Sequence, residues 1–252
     1  MADGRGGTHG GVQVPGRAEA RGRLLEATLA AVPGPGARWL LETLERAGDA
    51  RAVDIAFGSA PRRVGRGALA LQIDASAPPA LRALVPAPRA DRAARMLIAL
   101  AHGDHDPGAP ERLLLHADVE ESVAIYRALA LFPDGTRLDA AVGRGLRTHA
   151  QPVFEAIAHA NPWPAAHLDE HRWNHMVLKA LFVGSALAPI EGLDARANPT
   201  LARMLLDFAD ERRAAGREVP EELWRCALPF APPERLVGHA VPAGAGPCAA
   251  AA

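Results

Sequence analysis

A chain of 252 residues can bury a sizeable core, and with 49% hydrophobic but only 4% aromatic residues that core must be built from Ala, Leu and Val. A formal net charge of −1 excludes a global attraction to nucleic acid or to an anionic membrane. No apolar run approaches the roughly 20 residues of a membrane span, and the opening MADGRGGTHGG lacks the hydrophobic stretch of a signal peptide.

A cytoplasmic location is therefore expected. The two cysteines agree with it: Cys226 ends a helical pattern and Cys248 sits in a Pro/Ala/Gly tail, which is no disulfide framework.

In chain order, residues 1–17 are Gly-rich and expected to be disordered. Residues 18–63 read as an N-terminal helical lobe. Its first helix carries Leu24, Leu25, Thr28, Leu29 and Val32, its second Trp39, Leu40 and Leu44. The third, around Val53, Ile55 and Phe57, is expected to end near Pro61. Residues 64–88 are irregular and read as an extended linker. The main helical domain, 89–228, opens with a helix over Ala90–His102 that turns Met96, Leu97 and Leu100 inward, and the ligand-like string His102-Gly103-Asp104-His105-Asp106 reads as the turn that ends it. Asp118-x-x-Glu121 and Thr148-x-x-Gln151 both fit capping boxes. Asn198-Pro199 is a cap followed by proline, opening a helix that closes at Gly216. Residues 229–252 form a loose tail. The fold class expected is all-α, a degenerate α-solenoid (HEAT-like) stack of antiparallel helix pairs.

The organising stretch is Asn161–Phe182. Two prolines stiffen the Asn161-Pro162-Trp163-Pro164 corner, and Trp163 is expected to pack between the Thr148 helix and the helix that follows. A single central helix is predicted from Ala165 to Val183, with His167, His171 and His175 in one stripe. Histidines at i and i+4 can share a divalent ion, completed by Glu155 or Asp169, or they are solvated or core histidines; Arg172 occupies the place of a catalytic glutamate, and no metal or cofactor is assigned. Lys179 is the only lysine of the chain. Burial would suit it to Schiff-base or general-base chemistry, and the alternative is a packed stem with its head on a carboxylate. Arg144, Arg147, Arg203 and Arg217 could converge on an anion, or serve an exposed ionic face. No nucleotide-binding glycine loop and no Gly-x-Ser-x-Gly occurs.

Several segments together resemble the EboA family of bacterial proteins. They include Arg147-Thr148-His149, Val153–Ala158, Asn161–Pro164, Trp173–Phe182, Gly192-Leu193-Asp194 with Arg196 and Asn198, and Ala214–Arg217. The resemblance is specific from Ala117 to Arg225 and thin before Arg89. Where the family pattern has Arg-Thr-Asn this chain has His149, and where it has Asn-Gln-Met it has His175. It usually has no histidine at 171, so the stripe is partly peculiar to this chain.

The resemblance implies work beside the other products of one operon. These are a prenyltransferase-like membrane protein, a metal-dependent hydrolase, a dehydroquinate-synthase-like enzyme and a sugar-isomerase-like barrel. The function expected is a non-catalytic scaffold or adaptor in the synthesis or export of a secondary metabolite or prenylated precursor. Its partners would be proteins of that operon, a membrane prenyltransferase among the candidates. The alternative is a binder or enzyme for an anionic or isoprenoid intermediate with Lys179 in its pocket. Candidate ligand- or partner-binding residues are Lys179, Asn174, Arg147, Asn161, Trp163, Glu155 and Arg203; no catalytic residue is assigned.

Overall fold

The computed structural model describes residues 14–85 and 87–240. Its regular structure is helical, with thirteen α-helices among the described residues, and the extended pairing among them is confined to the bridges Ala68–Arg89 and His159–Ile190. The chain is thus all-α. The segments expected to be loose lie, over residues 1–13 and 241–252, outside the described residues, and so does Cys248. The chain divides into two compact units, one up to Arg144 and the other from Gly145.

The first unit contains α1 (Arg17–Ala31), α2 (Gly34–Glu45), α3 (Ala50–Val64), α4 (Pro79–Arg82), α5 (Ala90–His105), α6 (Ala109–His116) and α7 (Val119–Arg127). Helix α5 is enclosed by α1, α2, α3, α6 and α7. Met96, Leu97 and Leu100 are inward as expected, but so are Asp91, Arg95 and His102, which is why its sequence does not look like that of a buried helix. Asp91, Arg95 and His102 each have a partner. Arg89 forks onto Asp91 at 3.1 and 3.2 Å, and His102 Nδ1 lies 2.7 Å from the Ala47 carbonyl beyond the end of α2.

Helix α3 does not stop near Pro61. It continues to Val64 and ends at Gly65, whose φ of 74° suits glycine. A proline inside a helix leaves the carbonyl four residues back without its donor. Here that carbonyl belongs to Phe57, and the buried Arg95 donates to it from Nε at 3.0 Å. The guanidinium of one helix thus replaces the missing N–H of another. Asp118 and Glu121 form the reciprocal capping box read from the sequence, at 2.8 and 3.1 Å, and open α7. Residues 64–88 hold α4 and bury Leu69, Leu81 and Leu84.

Helix α8 (Asp139–Arg147) crosses the unit boundary. The second unit continues with α9 (Gln151–Ala158), α10 (Trp163–His167), α11 (Glu170–Phe182), α12 (Pro199–Ala214) and α13 (Leu223–Ala227). Two sequence expectations change here. The Thr148 capping box does not form, because α9 starts later: Ala150 is the cap residue, Pro152 lies in the first turn, and Thr148 accepts instead from the Ala150 N–H at 3.2 Å. The single helix over 165–183 is two helices. Leu168 is extended, and Asp169 accepts the Arg172 N–H at 2.7 Å as the cap of α11, so a local Asx cap outcompetes helical continuity. Asn198 caps α12 as expected, accepting from Leu201 N at 2.8 Å, and Gly216 follows it at φ 64°. Past α13, Arg235 reaches back to Asp207 and Asp210 at 2.8 and 2.9 Å.

Candidate functional site

The candidates Glu155, Asn161, Trp163, Asn174 and Lys179 lie on α9, in the turn after it, on α10 and on α11 of the second unit, and they do not converge on one point. Lys179 is held at the end of α8. Its ammonium donates to the Leu146 carbonyl and, at 2.7 Å, to the Thr148 carbonyl, while the Phe154 ring centroid lies 5.1 Å away. The last carbonyls of a helix have no intrahelical donor and carry its negative dipole end, so a cation satisfies both needs. Burial lowers the Lys179 pKa below the ordinary lysine value. Arg147, although it sits in sequence between the two residues whose carbonyls accept from Lys179, is exposed.

Glu155 is half-buried and belongs to a second group. One of its oxygens accepts from Gln151 Nε2 at 2.8 Å and from Ser185 Oγ at 2.7 Å. Burial pushes its pKa up, the bonds from Ser185 and Gln151 pull it down, and the net direction is down, which keeps it ionised. Asn174 forms a third group. It exchanges amide hydrogen bonds with Asn198, at 3.2 and 2.9 Å, and so steadies the cap of α12 from α11.

Asn161 and Trp163 make the corner. The Asn161 amide donates to the Ala156 carbonyl and accepts from the Trp163 N–H, both at 3.1 Å, bridging the end of α9 to the start of α10. Ala160 before it has φ 45°, a left-handed conformation that its N–H secures by bonding the Pro189 carbonyl at 2.7 Å. Trp163 is 1% exposed, and its indole N–H has no partner. Trp173 Nε1 is likewise buried and unpartnered, with the Arg196 guanidinium 4.6 Å over its ring. Arg196 itself donates to the Pro164 and Ala165 carbonyls at 3.1 and 3.2 Å.

The histidine stripe is divided by the break before α11. His167 packs on Trp163, with centroids 4.9 Å apart, whereas the exposed His171 and His175 rings stand 4.2 Å from each other. Among the described residues no group of three His, Cys, Asp or Glu side chains gathers as a metal ion would need. Arg144 pairs with Glu111 at 3.2 Å in the first unit. Arg147, Arg203 and Arg217 are exposed, and their side chains share no partner among the described residues. Cys226 is buried, and desolvation pushes its thiol up to about 12, so it stays protonated at neutral pH.

Sequence reading missed Gln151, Ser185 and the backbone carbonyls as the partners of the named residues. The sequence pattern places Gln151 in a cap, and a carbonyl is present at every position, so no letter announces it. The arrangement defines a class: an all-helical protein in which rare or buried polar side chains close the ends of short helices. A family model described as "Metabolite traffic protein EboA" matches residues 28–228. The chain belongs to the EboA family. No curated protein and no solved structure matches it. Among the described residues no helix is long and apolar enough to cross a membrane.

Proposed function

We propose that the protein is a non-catalytic helical scaffold or adaptor in a bacterial pathway that makes or exports a secondary metabolite or prenylated precursor. The family description, metabolite traffic, supports a role in such a pathway. The observation that carries the non-catalytic reading is the employment of Lys179, Asn174 and Asn161: each spends its polar groups on a helix end or a cap. Partners are proteins of the same operon, a membrane prenyltransferase among the candidates. An anchor for them is offered at the end of α11, where Phe182 is 60% exposed and meets Phe208 in a T-shaped contact with ring centroids 4.8 Å apart.

Co-purification with each operon product, from soluble and detergent fractions, tests the reading. Retention of at least one, weakened by Phe182→Asp, is expected; retention of none would refute it. The lowered pKa of Lys179 favours a second reading, a binder or enzyme for an anionic or isoprenoid intermediate. Borohydride trapping with carbonyl metabolites tests that one, and an unmodified Lys179 counts against it.

A further inference from the structure

The first unit holds a cavity of about 270 Å³ between the end of α5, the start of α6 and the turns over residues 129–138. That is just below the ~300–1,000 Å³ typical of small-ligand pockets and suits a compact ligand. Its apolar walls are Pro107, Pro110, Phe132, Pro133 and Leu138. Gly103 makes the shape possible, since a Cβ there would stand 3.1 Å from Pro110 and 3.3 Å from the Phe132 ring. The far wall is fixed from α1, where Arg17 donates to the Phe132 and Pro133 carbonyls at 3.0 and 2.9 Å. Prolines and an anchored wall make a preformed site, which lowers the ordering cost of binding.

The charges around it decide what it accepts. Two carboxylates line the cavity, and both are already committed. Arg21 forks onto both oxygens of Asp104. Asp134 accepts from the Thr136 N–H at 3.2 Å and from the Thr136 hydroxyl with one oxygen, and from Arg137 Nε at 3.2 Å with the other. Hydrogen bonding from Thr136 holds Asp134 below the usual carboxylate range, so it remains ionised and keeps Arg137 aligned. What is left over is the terminal pair of amino groups on Arg137, a side chain that is 60% exposed.

We propose that this cavity is a binding site for a small monocarboxylate with a compact, flat apolar body. The carboxylate lies on the free edge of the Arg137 fork and the body on Phe132 and the proline walls. A planar fork facing a planar acid gives two parallel charge-assisted hydrogen bonds, which neither an amine nor a neutral ligand can form. This goes beyond the scaffold reading and stands or falls without it.

The test is a fluorine NMR titration of the full chain with para-fluorobenzoate and para-fluorobenzylamine, probes of equal shape and opposite charge. The acid is expected to bind and the amine not. Arg137→Gln should weaken the acid by about tenfold or more, the loss of a charge-assisted pair. Arg144→Gln, at an exposed ion pair outside the lining, should leave affinity within about twofold. Equal binding of acid and amine, unchanged binding by Arg137→Gln, or no binding of the acid up to its solubility limit would each overturn the proposal. If Arg137→Gln fails to fold, the acid–amine comparison on the native chain decides alone.

Discussion

Trp163 offers the sharpest test of how the corner before α11 is held. It is 1% exposed and packs in the short helix α10 against α9. Burying an aromatic side chain removes ~150–250 Å² from water, and ~25 cal/mol per Å² makes that about 4–6 kcal/mol. The indole N–H is buried without a partner, and an unsatisfied donor costs about 1–3 kcal/mol. Truncation therefore loses the area and recovers that penalty. Trp163→Ala should cost about 3 kcal/mol, or roughly 6–12 °C in melting temperature for a chain of this size. Trp163→Phe loses a smaller area and removes the orphaned donor, so it should stay within about 1 kcal/mol of the parent. His171→Ala, at an exposed position, should fall within about 0.5 kcal/mol. Urea unfolding followed by far-ultraviolet circular dichroism compares the three. An alanine variant as mild as His171→Ala would show that Trp163 is not structural. A phenylalanine variant as costly as alanine would show that the indole N–H is bonded.

Three further outcomes follow from other contacts. Arg95→Leu should destabilise by about 1–3 kcal/mol, because it leaves the buried Phe57 carbonyl without a donor while Arg89 still holds Asp91; adding Pro61→Ala, which restores a donor to that carbonyl, should recover about 1 kcal/mol in a double-mutant cycle. Ala160→Gly should stabilise by about 0.5–1 kcal/mol in a thermal melt, because the left-handed φ of 45° is strained for alanine and the relief exceeds the entropy glycine adds to the unfolded chain. Glu155 has a folded pKa below its unfolded value, so its contribution is present above the unfolded pKa and is lost as pH falls through the folded one; Glu155→Gln should flatten that acid limb in melts run at successive pH values.

Where a local signal has no competitor, the letters predict the structure. Asp118 with Glu121, Asn198 before Pro199, and Gly216 all do what they predict. The misreadings arise where two local signals compete or where a distant group compensates. Ala165–Val183 looks continuous until Asp169 is weighed as a cap, and Pro61 looks like a stop until Arg95, remote in sequence, supplies the missing donor. Helix α5 went unrecognised as the enclosed element because its buried Asp91, Arg95 and His102 mimic an exposed face. The candidate residues stand out in the sequence as polar and unusual. Their partners are mostly backbone oxygens, which only folding brings within reach.

Lys179 carries the single side-chain amine of the protein, and the same nitrogen closes the end of α8. Reactivity and integrity are therefore the same variable at this position. Acylation removes the charge that the two carbonyls hold, and the amine must leave them before a reagent can use it. A lysine-directed acyl donor consequently reads out local opening of the α8–α11 brace at one side chain, once acylation of the terminal α-amine is counted separately. Any cellular system that tags proteins through lysine side chains meets the same condition, with its acceptor available to it only in the loosened form.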